Sequence, residues 1–418
     1  MSRISRSFAS VLLSLAIIPM AAQAEMPAQM AGKPEDVGLS SVQLKRLEAA
    51  TKKNIDDGLM PGAVMLVARR GKVAWVSVQG KRAPESNDPM KFDSIFRIYS
   101  MTKPITSLVL MQLVEEGRLQ VYDPVAKFLP ELGKMKVGTD VTVDGRPSLR
   151  LSDPERAMTV QDLLRHTAGL TYGNRGTSLV NQAYVDAKIG DRTATNEEMV
   201  RRLSGVPLLF TPGERWEYSV AVDVQGRLIE VLTGKTLLEA FNERVFGPLG
   251  MVDTAFQVPA GKLARTAQPG QKPNGPPMTP RFKVDDGATY ESGGGGLLGT
   301  TEDYLRFSLA LANGGAFQGK RIIGRKTLEF MTADHVGSRP GRPDGFGFGL
   351  GFEVHTKLGE SALMGSVGEY GWSGAAGTTF WVDPKEQLVG IYMVQASADD
   401  TRFLRNQFRS MVQAAIAD

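Results

Sequence analysis

Ser100 and Lys103 form the only Ser-x-x-Lys in the chain, within Phe96-Arg-Ile-Tyr-Ser100-Met-Thr-Lys103-Pro104-Ile-Thr-Ser-Leu-Val-Leu-Met111. Pro104 is tolerated only in the first turn of a helix, so a helix is expected to begin here. Residues three apart share a helix face, which brings the lysine amine within reach of the serine hydroxyl. A neutral lysine there could take the serine proton, and the helix N-terminus would favour the resulting negative charge. Taken alone the motif is also what a solvated serine and a surface lysine would look like.

A serine nucleophile needs a base, a group that sets the state of that base, and donors for the oxyanion. The chain holds only three histidines, His166, His335 and His355, so a Ser-His-Asp triad is thinly supplied. His166, in Leu163-Leu-Arg-His-Thr-Ala-Gly-Leu170, reads as a structural residue at a helix end, and the other two read as surface residues without metal-ligand spacing. Gly371-Trp-Ser-Gly-Ala375 approaches a nucleophile elbow, but it lacks the final glycine and precedes a strand, which leaves Ser373 a weak rival. Tyr218 stands at the tip of a polar turn, Thr211-Pro-Gly-Glu-Arg-Trp-Glu-Tyr218-Ser219-Val220. Such a tyrosine often only caps a core. Beside Lys103 its proton would leave more easily, because a nearby cation favours phenolate. A Ser–Lys–Tyr cluster can therefore activate a hydroxyl without histidine.

The elements that must position these groups follow from periodicity and turn chemistry. An amphipathic helix over 40–58 precedes two strands, 63–68 and 73–78, joined by the turn Arg69-Arg-Gly-Lys72. The Ser100 helix ends near Glu116-Gly117. From 123 to 283 helical patterns alternate with polar or Gly/Pro-rich connections such as 138–154 and 259–280, and Thr159-Val-Gln-Asp162 resembles a capping box. A helix from Thr301, strands over 346–354, 378–382 and 388–394, and a helix over 401–417 follow. The fold expected is α/β of the α+β type: a mostly antiparallel sheet formed by both chain ends, flanked by helices, with an inserted helical lobe. The sheet domain would comprise residues 25–122 and 284–418, and the lobe residues 123–283.

Residues 1–24 read as a Sec-type signal peptide: Arg3 and Arg6, an apolar stretch from Phe8 to Met20, and the small-residue site Ala22-Gln-Ala24. That implies a periplasmic or secreted protein, and the stretch is too short to anchor the mature chain in a membrane. With no cysteine there are no disulfides and no lipid-modified N-terminal cysteine. The net charge of +4 comes from interspersed residues, with no basic run that would support nucleic-acid binding.

Ser100-Met-Thr-Lys103, Leu164-Arg-His-Thr-Ala-Gly-Leu170 and Pro212-Gly-Glu-Arg-Trp-Glu-Tyr-Ser219 come in order, followed by Phe246-Gly-Pro-Leu-Gly-Met-Val-Asp-Thr254, Gly293-Gly-Gly-Gly-Leu297 and Gly371-Trp-Ser-Gly374. The series resembles the serine β-lactamase and penicillin-binding-protein superfamily. It is most similar to the class C β-lactamase-like branch that contains the family VIII carboxylesterases. The resemblance covers nearly all of 35–415 and implies a β-lactamase-like fold. By it, Ser100 matches the acylated nucleophile, Lys103 its partner amine and Tyr218 the first position of a Tyr-x-Asn motif. The third motif falls at Trp372-Ser373-Gly374, with an oxyanion hole formed by the backbone N–H groups of Ser100 and Ala375. Two departures bear on substrate. Val220 stands where the family has asparagine, and Trp372 stands where it has a cation that would pair with a carboxylate. An indole offers an apolar wall instead.

The resemblance implies a cofactor-free serine hydrolase that cleaves small uncharged esters. The alternatives are a β-lactamase or D-alanyl-D-alanine peptidase-like activity acting on a β-lactam-like substrate, a penicillin-binding receptor without turnover, or acyl transfer to an alcohol.

Overall fold

The computed structural model describes residues 31–85, 87–270, 280–396 and 398–418. The signal-peptide reading of 1–24 and part of the 259–280 connection lie outside the described residues. In chain order the strands are β1 (Gly62–Arg69), β2 (Lys72–Ala83), β3 (Asp88–Pro89), β4 (Phe96–Arg97), β5 (Val137–Val143), β6 (Arg146–Ser152) and β7 (Leu298–Gly299). They continue with β8 (Ala316–Phe317), β9 (Lys320–Arg321), β10 (Phe346–Phe348), β11 (Glu353–His355), β12 (Tyr370–Ser373), β13 (Thr379–Asp383) and β14 (Leu388–Val394). The helices are α1 (Ser41–Asp56), α2 (Thr102–Glu115), α3 (Val160–Leu164), α4 (Leu179–Asp186), α5 (Asn196–Leu203) and α6 (Ala221–Thr233). The last five are α7 (Leu237–Phe241), α8 (Gly247–Leu249), α9 (Thr301–Ala312), α10 (Arg325–Met331) and α11 (Ala398–Gln413).

An eight-stranded antiparallel sheet runs in the order β10-β11-β12-β13-β14-β1-β2-β3, so the two ends of the chain meet at its centre. There Ala63 pairs with Val394 and Arg69 with Leu388. Every residue of β1 and β14 is buried, which is why both read as continuous apolar runs rather than alternating ones. Ala63, Met65 and Val67 face a layer containing Leu44 and Leu47 of α1 and Leu404, Phe408 and Val412 of α11. Val64, Leu66 and Ala68 face the opposite, larger core, which contains α2, α6 and α9. The fold class expected from the sequence is the one observed.

The α2 helix lies within that larger core. Twelve successive residues from Thr102 to Leu113 are buried, so it is enclosed on every side, and its polar Thr106, Ser107 and Gln112 are hydrogen-bonded within the core. Residues 123–283 contain α3 to α8 and a hairpin. That hairpin, β5–β6, corrects the reading of 138–154 as a connection. Its tip, Asp144-Gly145, has φ of 50° and 73°, as a two-residue hairpin turn requires. Among the described residues no helix is long and apolar enough to cross a membrane.

Candidate active site

Ser100 is delivered by a strained turn. Tyr99 has a φ of 45°, a region a bulky residue adopts only when its surroundings impose it. The Thr102 hydroxyl donates to Tyr99 O at 2.6 Å and accepts from Leu297 N at 3.1 Å, and Tyr304 OH donates to Met101 O at 2.9 Å. These bonds fix a short 3-10 turn, Tyr99–Met101, which runs directly into α2. Ser100 therefore stands at the N-terminus of a 14-residue helix and opens onto a cleft of about 1160 Å³.

Lys103 lies one helical turn on and is 1% exposed. Its Nζ donates to Gly294 O at 2.5 Å and to Tyr172 Oη at 3.1 Å, and it sits 4.5 Å from the centre of the Tyr218 ring. Burial disfavours its charge, but Tyr172, Tyr218 and Asp223 outweigh burial and raise its pKa above the ordinary lysine value. The neutral lysine expected from the sequence is thereby corrected: these surroundings hold an ammonium.

Tyr218 is carried on a segment tied to the stretch after α3. Gly213 N donates to Thr167 O at 2.7 Å and Glu217 N to His166 O at 2.9 Å. Its ring packs among His166, Tyr172, Trp216 and Trp372, with centroids 5.0 to 6.1 Å away. The indole Nε1–H of Trp372 points at the Tyr218 hydroxyl, 3.4 Å away. Lys103 and Tyr218 are thus in direct contact, and Ser100, Tyr218 and Trp372 line the same cleft.

Trp372, Ser373, Gly374 and Ala375 form the end of β12 and the turn after it, along the wall of that cleft. A side chain on Gly374 would sit 2.4 Å from Ile98 O, so glycine is what lets this strand end approach the chain entering Ser100. Gly374 N is used by Thr378 O, whereas the Ser100 and Ala375 amides have no hydrogen-bond partner among the described residues. Ser373 Oγ lies 2.8 Å from the Thr379 hydroxyl, and none of the three histidines bonds it.

His166 is 1% exposed, and burial together with the Lys103 and Arg342 cations pushes its pKa well below the ordinary value. The neutral ring accepts Ser219 N–H at Nδ1 (3.3 Å), a structural role. Thr159 and Asp162 do form the capping box of α3, which ends before His166. His335 is half-buried between Gln161 and Phe330 O. His355 corrects the surface reading: it is 1% exposed, with Nδ1 2.9 Å from Glu369 Oε1 and Nε2 2.9 Å from Ser361 Oγ. This Ser–His–Glu chain is poorly suited to catalysis, because Arg409 binds the same Glu369 oxygen and competes with any imidazolium. Among the described residues no cluster of three or more histidine or carboxylate groups is arranged to hold a metal ion.

Three groups in the site escaped sequence reasoning: Tyr172, Asp223 and the Gly294 carbonyl. Tyr172 follows the His-Thr-Ala-Gly-Leu stretch by two residues, and Asp223 opens α6 one turn after Tyr218, so proximity to recognised motifs was the available signal.

Comparison with known proteins identifies the family. A family model described as Beta-lactamase matches residues 46–413. The chain is 32% identical over 363 residues to esterase EstB of Burkholderia gladioli, covering 81% of this chain and 86% of that protein. It is 28% identical over 371 residues to lovastatin esterase of Penicillium rubens, covering 82% and 90%. The solved structure of EstCE1, a hydrolase with promiscuous acyltransferase activity, matches with a TM-score of 0.74 at 26% identity, covering 89% of this chain and 98% of that one. With a family match across most of its length and esterases among its relatives, the chain belongs to the Beta-lactamase family of serine hydrolases.

Proposed function

We propose that the protein is an exported carboxylesterase that cleaves small, largely uncharged esters through an acyl-enzyme on Ser100. The observation that carries this reading is the buried Lys103–Tyr218 contact beside the cleft onto which Ser100 opens. Amine and phenol together share one proton in the reactive state. Surroundings that hold Lys103 as ammonium leave the Tyr218 oxygen as the acceptor.

The ester carbonyl oxygen lies against the free amides of Ser100 and Ala375, where two N–H donors and the α2 N-terminus stabilise the developing oxyanion. Ser100 Oγ attacks the carbonyl carbon and its proton passes to Tyr218. As the tetrahedral intermediate collapses, the carbon–oxygen bond to the alcohol breaks and Tyr218 returns the proton to the leaving alkoxide. Water then attacks the acyl-enzyme by the same route, releasing the acid and restoring Ser100.

Trp372 supports the choice of ester. Where the superfamily places a cation, the cleft has an indole packed against Tyr218 and Phe348, so an anionic substrate would lack its counter-charge. Both esterase relatives point the same way. The description of EstCE1 favours a second outcome for the same intermediate, capture of the acyl group by an alcohol.

Purified protein should hydrolyse p-nitrophenyl butyrate with a higher kcat/KM than nitrocefin, and Ser100→Ala should lose about a thousandfold or more in kcat while staying folded. Undiminished turnover in Ser100→Ala ends the proposal. A preference for nitrocefin makes it a β-lactamase, and stable labelling by a fluorescent penicillin without turnover makes it a receptor. Export is read from residues 1–24, and a mature N-terminus at Glu25 in the periplasm or medium is its test.

A further inference from the structure

Asp223 is a carboxylate without a paired cation in the floor of the cleft. It is 4% exposed and stands in the first turn of α6. Among the described residues it forms no ion pair within salt-bridge distance, and a buried lone carboxylate is costly unless something nearby uses its charge. One of its oxygens, Oδ1, accepts the Ser292 hydroxyl at 2.5 Å and the Gly294 N–H at 3.1 Å. A side chain on Gly294 would lie 2.3 Å from the other oxygen, so the turn can approach the carboxylate this closely only as glycine. The far side of the same residue is the carbonyl that accepts Lys103 Nζ at 2.5 Å. Thr106 Oγ1 donates to the neighbouring Gly293 O at 2.8 Å and ties the turn to α2. Carboxylate, turn and ammonium thus form one connected line: Asp223 holds the N–H of Gly294, and Lys103 donates to its C=O.

We infer that Asp223 is a positioning residue for the hydrolysis: it holds the Gly293–Gly294 turn and supplies the counter-charge for the Lys103 ammonium from the other side of Gly294. This rests on the Ser100–Lys103–Tyr218 reading of the site. It adds the reason why a lysine buried to 1% exposure remains charged. The other groups facing Lys103 are Tyr172, Tyr218 and His166. Tyr172, held neutral by burial, balances no charge, the Tyr218 oxygen takes up a proton during the reaction, and His166 as a cation would only repel. Tyr290, which faces Asp223 from the cleft side, is held neutral by burial and by that carboxylate. Asp223 is the one carboxylate in the group and keeps its place through the cycle.

The test uses the full protein and ethyl butyrate, whose ethanol release is followed from pH 6 to pH 11 after correction for spontaneous hydrolysis. Asp223→Asn keeps the shape and an acceptor oxygen but loses the charge. It should lower kcat about tenfold or more with KM within about twofold, and move the alkaline limb of the pH profile down by about one unit, because an ammonium without its counter-charge gives up its proton more readily. Ser292→Ala keeps the charge and should leave that limb in place. Gly294→Ala forces the carboxylate away from the turn and should reproduce the Asp223→Asn shift, which keeps the question answerable if Asp223→Asn does not fold. An Asp223→Asn enzyme with the wild-type alkaline limb overturns the inference, as does an equal shift in Ser292→Ala, which would trace the effect to turn geometry. Full activity in Ser100→Ala would instead defeat the underlying assignment of the nucleophile, so the two failures are distinct.

Discussion

Two phenols meet one ammonium in this site, and their positions assign them different work. Tyr218 presents its ring face to Lys103 and its hydroxyl to the cleft, whereas Tyr172 presents its hydroxyl directly to Nζ. Burial raises the Tyr172 pKa, so it stays a neutral donor or acceptor. Tyr218→Phe should therefore lower kcat by about a hundredfold to ten-thousandfold with little change in KM, the range for losing a proton-transfer group. Tyr172→Phe should cost only about tenfold, one net hydrogen bond to a charged group. Steady-state kinetics on p-nitrophenyl butyrate separate the two, and equal losses would contradict the division of roles. Trp372→Lys places a cation on the wall where the chain carries an indole. The ratio of nitrocefin to p-nitrophenyl butyrate kcat/KM should rise about tenfold, the worth of one partly exposed charge-assisted contact. An unchanged ratio would mean the indole does not set substrate charge.

At the level of elements, the stretch after α3 does most to hold the base. His166 accepts Ser219 N–H, packs on the Tyr218 ring and stays neutral because burial and nearby cations depress its pKa. In the unfolded chain the same imidazole titrates near 6.5, so below that pH the unfolded state binds more protons. Stability should then fall as pH drops from about 6.5 toward the depressed folded value, by up to about 1.4 kcal/mol per pH unit. Urea unfolding at pH 7 and pH 5 should show a smaller loss in His166→Asn than in the native protein, and equal losses would refute the assignment.

The same elements show where sequence was sufficient. Ser100, Lys103 and Tyr218 were legible because each sits in a local signature: a helix start marked by Pro104, and a polar turn before a helix. Tyr172 and Asp223 act through tertiary contacts across long sequence separations, and only their nearness to recognised motifs marks them in the sequence. His355 was misread because β11 is short and lies in an aromatic, Gly-rich stretch, where its burial comes from cross-strand partners such as Phe346. The β5–β6 hairpin was missed because much of both its faces is exposed, so it lacks apolar alternation, although Asp144-Gly145 was a usable turn signal.

Across the whole molecule, Arg69 joins the beginning and end of the chain. Its guanidinium is 3% exposed and donates to Val37 O, Gly38 O, Glu386 O and the carboxylates of Glu386 and Asp418. Arg69→Met would remove this donor from Val37 O, Glu386 O and the Glu386 carboxylate, whereas Gly38 O keeps the Ala417 N–H and Asp418 keeps Arg70. The partner carboxylates are partly solvated, so the expected loss is about 2–3 kcal/mol rather than the larger figure for a fully buried pair. Urea denaturation should detect it while kcat per folded molecule stays unchanged, because Arg69 does not line the cleft. A fall in kcat would show that this end of the sheet is coupled to the cleft.

The pairing of β1 with β14 also has a consequence for biosynthesis. A chain emerging from the ribosome makes β1 and β2 early, yet the inner edge of β1 has no partner until residues 388–394 have been translated. The sheet therefore cannot close until β14 has emerged. Until then the nascent polypeptide is a substrate for chaperones and proteases, and a premature stop between β2 and β14 yields a product with one edge of its central strand unpaired.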